Sequence, residues 1–68
     1  MILNFGTNLV NSDHVRQFEL RDADAEGKKK ILVAQYTNGD YNMVACVDAK
    51  RTDSLIEYIC SMVNGKFK

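Results

Sequence analysis

Proline is absent from this chain, histidine occurs once and cysteine twice, and the nine basic and nine acidic residues cancel. Each shortage closes off a class of function. With no proline, no repeat and no low-complexity tract, the chain holds no linker and reads as one small domain over residues 1–68. One histidine and two cysteines without a Cys-x-x-Cys pair fall short of a four-ligand zinc site. Zero net charge provides no field to attract nucleic acid or an anionic membrane, and little protection against self-association. No apolar run approaches the roughly 20 residues that span a bilayer, and no basic, apolar leader opens the chain. The expectation is a cytoplasmic protein with reduced thiols and no membrane partner. The four glycines are dispersed, so there is no phosphate-cradling loop.

What is present is an apolar fraction of 46% in 68 residues, enough for a core but a marginal one. Scaffolds of this size need a staple, very good packing or a second subunit. "MILNF" at 1–5 and "LVN" at 9–11 flank the turn signal Gly6-Thr7-Asn8 and pair as a short hairpin. Ser12-Asp13-His14 forms a polar corner. From 15 to 21 the chain alternates, with Phe18 and Leu20 toward a core and Val15, Gln17, Glu19 and Arg21 on the other face. Asp22 to Lys28 is a charged loop.

The strongest strand signals, 30–37 and 41–47, are joined by Asn38-Gly39, the preferred pair for a two-residue type I′ turn. That turn dictates a register. Tyr36 opposes Tyr41, Ala34 opposes Met43 and Leu32 opposes Ala45 on one face. Thr37 opposes Asp40, Gln35 opposes Asn42, Val33 opposes Val44 and Ile31 opposes Cys46 on the other. Residues 52–64 read as an amphipathic helix with the apolar stripe Leu55, Ile56, Ile59, Met62 and Val63. Thr52 is its expected cap, with Ser54 and Glu57 at capping-box spacing, and Gly65 its stop. The tail 66–68 is expected to fray. The fold class is therefore α+β: a small antiparallel meander of three to five strands with one C-terminal helix on one face.

A helix of about 20 Å covers one face of such a sheet and not both. Either the N-terminal arm curls under the second face or a second copy covers it. The second copy is the preferred reading, with Ile31, Val33, Val44 and Cys46 as candidate interface residues in a homodimer. The chemistry-bearing groups point elsewhere than catalysis. Ser12-Asp13-His14 has triad residue types, but consecutive side chains diverge. Cys46 and Cys60 read as small core residues, with a bridge between them geometrically conceivable. Asp22, Asp24 and Glu26 lack the later glutamate of a calcium loop. No enzyme, metal or cofactor is expected. The alternative function is nucleic-acid binding by Lys28, Lys29, Lys30, Tyr36 and Tyr41, a basic and aromatic sheet surface.

"NLVNSDHVRQFEL", "AQYTNGDYNMVACV" and "TDSLIEYICSMV" together resemble a loose class of very short bacterial and phage-encoded proteins. In that class a polar corner leads into a strand, followed by a strand–turn–strand unit and a closing helix. The Asp22–Lys30 loop is longer and more charged than the resemblance implies. What it implies is an accessory protein that binds or inhibits another protein, mostly of unknown function, rather than an enzyme. The expected function is a non-catalytic, self-associating interaction module.

Overall fold

The computed structural model describes residues 1–6, 8–63 and 65–67. Thr7 of the expected first turn, Asn64 at the expected helix end and Lys68 of the tail lie outside the described residues. The elements are β1 (Ile2–Asn4), β2 (Leu9–Asn11), β3 (Val15–Asp22), β4 (Lys29–Tyr36), β5 (Tyr41–Asp48) and α1 (Thr52–Met62), with short 3-10 turns at Ser12–His14 and Ala49–Arg51. The fold is α+β, as its alternating strands and one amphipathic segment require. β3, β4 and β5 form an antiparallel meander with β4 central, and β1 and β2 form a separate hairpin.

One core joins these parts. Leu3 and Val10, directly opposed in the hairpin, are buried with Val15, Phe18, Leu32, Ala34, Val44 and Ile59. Phe5 packs on Phe18 and edge-on to Tyr58, with ring centroids 6.0 and 5.9 Å away. Hairpin and helix therefore sit on the same face of the meander. The N-terminal arm does not curl beneath the second face.

Two bulges overturn parts of the expected facing. In β3 the pairing slips between Val15 and Gln17, which turns Val15 into the core, 1% exposed, rather than outward with Gln17. In β5 the pairing passes from Val33↔Met43 to Leu32↔Ala45, leaving Val44 unpaired. The turn differs as well. Gly39 N–H donates to the Tyr36 carbonyl at 3.1 Å, Tyr36 N–H donates to the Asp40 carbonyl at 2.8 Å, and Gly39 has φ +95°. No described non-glycine residue has positive φ, so Asn38 does not adopt a type I′ conformation. The loop is Thr37-Asn38-Gly39, a type I turn closed by a left-handed glycine. Its extra residue shifts the register so that Gln35 opposes Tyr41, and the bulge at Val44 shifts it back. The expected pairs Leu32–Ala45 and Ile31–Cys46 are present. Those nearer the turn are replaced.

The helix is rotated relative to the expected stripe. Ile59 is fully buried and Leu55, Tyr58 and Val63 pack on the core, while Met62 is exposed. Tyr58 belongs to the inner face because its hydroxyl accepts the Asn4 N–H at 2.9 Å, which satisfies the polar tip and pins β1. Thr52 does not cap: the preceding 3-10 turn makes Arg51 the N-cap, and the Thr52 hydroxyl donates to the Ala49 carbonyl at 3.0 Å. Beyond the helix, Gly65 at φ +82° redirects the chain, and the tail docks instead of fraying. Phe18 N–H donates to the Lys66 carbonyl at 2.7 Å, Phe67 bridges to Phe18 in parallel, and Lys66 Nζ donates to the Ser12 carbonyl at 2.6 Å. The tail thereby occupies part of the β3 edge.

Candidate interaction surface

Strand periodicity places Gln17, Glu19 and Arg21 of β3, Lys29, Ile31, Val33 and Gln35 of β4, and Tyr41, Met43, Cys46 and Asp48 of β5 on the face away from helix and hairpin. The registers arrange them in rows: Gln17–Gln35–Tyr41, Glu19–Val33–Met43 and Arg21–Ile31–Cys46. Half of this face carries its own polar cover. Glu19 accepts from Gln35 Nε2 at 2.8 Å and from Arg21 Nε at 2.7 Å, and Gln35 Oε1 accepts from Arg16 at 2.7 Å and Gln17 at 3.1 Å. The Arg21 guanidinium lies 5.9 Å from the Tyr41 ring centroid. A line between those two residues crosses β4 at Val33, and Val33 is 2% exposed despite lacking a covering element.

The other half, along β5, is open. Tyr41 is 67% and Met43 61% exposed, Cys46 is exposed and Ile31 half-buried. β5 is also an edge strand of eight residues. Edge strands are commonly protected by lysine, proline or short length. β5 has neither residue, and its one carboxylate, Asp48, pairs with Lys29 at 3.5 Å. At mid-strand Asn8 Nδ2 donates to the Val44 carbonyl at 2.9 Å, as a neighbouring strand would. Phe5, Asn8, Met43, Ala45 and Val47 line a groove along this edge.

Of the four residues expected at an interface, Ile31 and Cys46 stand on the open strip. Val33 is on that face but covered. Val44 is not on it: the bulge turns its side chain into the core, 1% exposed. Met43, missed in the sequence, takes its place, since a one-residue bulge leaves no trace in an apolar run.

The basic and aromatic residues do not assemble as their expected register required. The extra loop residue puts Tyr41 on the outer face beside Gln35, whereas Tyr36 packs on the core. Lys28 pairs with Glu26 at 3.0 Å, Lys29 with Asp48, and Lys30 with Asp22. The acidic loop is thus engaged by the lysines that follow it, and Asp24 Oδ1 accepts the Lys28 N–H at 3.0 Å. Ser12 is buried while Asp13 and His14 are exposed, with the Asn11 side chain accepting the Asp13 N–H at 3.0 Å. Cys46 and Cys60 are both free and both exposed, in contrast to the expected core positions. Among the described residues, no three His, Cys, Asp or Glu side chains are grouped to hold a metal ion, and no helix is long and apolar enough to cross a membrane.

Comparison with protein-family models, with curated proteins and with solved structures finds no match to this chain.

Proposed function

We propose that this chain is a non-catalytic interaction module, and that the β5 edge with the adjoining Ile31–Met43–Cys46 strip is its docking surface for a second copy of itself. The observation that carries the reading is the asymmetry of the two sheet edges. The β3 edge bears Arg16, Arg21 and Asp22 and is partly occupied by the docked tail. The β5 edge presents an eight-residue strand with Met43 and Tyr41 exposed beside the Asn8 hydrogen bond to the Val44 carbonyl. Zero net charge supports association of like copies, since no long-range repulsion opposes it. A core this small also gains from added burial.

Sedimentation equilibrium from about 1 to 100 μM tests the reading. A monomer–dimer equilibrium is expected, and Met43→Lys, which sets a charge on the open strip, should shift it toward monomer. A chain that remains monomeric across the range refutes self-association.

A further inference from the structure

We infer that two copies pair antiparallel through β5 about a two-fold axis between Val44 and Ala45, setting Met43 of each against Cys46 of the other. The inference rests on the self-association reading and adds the register. It follows from the bulge. Tyr41 and Met43 face outward and Asn42 inward; Val44 lies in the core and Ala45 packs against it; then Cys46 and Asp48 face outward with Val47 between them facing inward. The order of faces along β5 is therefore the same read from either end. A regular strand is symmetric about a residue, whereas this one is symmetric about a peptide bond. Paired antiparallel about that bond, every outward side chain meets an outward one. Every other offset of comparable overlap opposes an outward residue to an inward one on at least one side of the bulge.

The backbone obeys the same symmetry. The bond from Tyr36 N–H to the Asp40 carbonyl, and that from Ala49 N–H to the Lys28 carbonyl, fix the alternation of the β4–β5 ladder from its two ends. By that alternation Tyr41, Met43, Cys46 and Asp48 direct their backbone N–H and C=O groups away from β4. In the proposed pairing Met43 exchanges hydrogen bonds with Cys46 of the second copy, and Tyr41 with Asp48. Charge agrees with this: the Asp48 carboxylate arrives beside the Tyr41 ring on which Arg21 of the other copy rests. The Asn8 amide bonds the Val44 carbonyl in the lone chain, and the incoming strand displaces it at the cost of that bond.

Disulfide trapping reads the register. In a Cys60→Ser background Cys46 is the remaining thiol. The two copies of Cys46 would be three residues out of line, about 10 Å apart, too far to bridge. Adding Met43→Cys brings two thiols into directly opposed positions, with Cα atoms about 5.5 Å apart, within disulfide range. Mild oxidation should convert the Met43→Cys, Cys60→Ser protein to a covalent dimer, with peptide mass spectrometry locating the bond between position 43 and Cys46. The Cys60→Ser protein, and the protein that also carries Cys46→Ser, should remain uncrosslinked. Met43 is mostly exposed, so its replacement leaves folding intact. A protein that sediments as a dimer without the 43–46 bond, or that links through Cys46 alone, overturns the register and leaves self-association standing. A parent protein, with Met43 in place, that sediments as a monomer overturns both.

Discussion

Replacing Asn38 by glycine separates two hairpin geometries that one sequence allows. In a two-residue type I′ turn both central residues take positive φ, and glycine at position 38 would be neutral or stabilising. In the observed loop only Gly39, at φ +95°, does so. Asn38→Gly then removes the bond from Asp40 N–H to Asn38 Oδ1, 3.0 Å long, worth about 0.5–1.5 kcal/mol. It also loosens the unfolded chain, for a further loss of roughly 0.4–1 kcal/mol. The expected total is about 1–2.5 kcal/mol of destabilisation. Gly39→Ala provides the companion measurement. A Cβ at Gly39 meets nothing within 4 Å, so its cost is conformational alone, about 1–2 kcal/mol, offset in part by the stiffer unfolded chain. A net loss of about 1 kcal/mol lowers the thermal midpoint of a domain this size by about 4–8 °C. Thermal and urea unfolding of both variants, at concentrations where the association state is known, gives the two values. An Asn38→Gly protein more stable than the parent would refute the three-residue loop. The shifted facing of Tyr41 and Met43 would fall with it.

Phe67→Ala should cost about 2 kcal/mol, roughly half the loss for a fully buried phenylalanine, because the ring is half-buried against the core. An unchanged urea midpoint would show that the tail does not dock on β3. Arg21→Ala should cost about 1 kcal/mol, chiefly by uncovering Val33, since the Arg21 side chain is half exposed in its ion pair and the more buried Glu19, 16% exposed, keeps its bond from Gln35. The loss should persist at 0.5 M salt; one that vanishes there would assign it to charge and not to packing.

Local chemistry in the sequence determined the kinds of element and nearly all their limits. Asn38-Gly39 marked a reversal, the alternation at Phe18 and Leu20 marked a core-facing strand, and the apolar spacing after Thr52 marked a helix, because each depends on residues within a few positions. The exposed strip was half legible: the register of Ile31 and Cys46 survives both shifts, which keeps them on the expected interface face, although Cys46 also read as a core residue. Tertiary structure decided the rest. The loop's added residue and the Val44 bulge cancel across the hairpin, so both ends of the pairing look regular in the sequence while the middle changes face. Packing selects the bulge because it delivers Val44 and Ala45 together to the core beside Leu32. Tyr58 and the docked tail likewise depend on partners far along the chain, Asn4 and Phe18, which no local pattern announces. Propensity and period act over a few residues. The face that a bulged strand shows to solvent is settled only when the core closes.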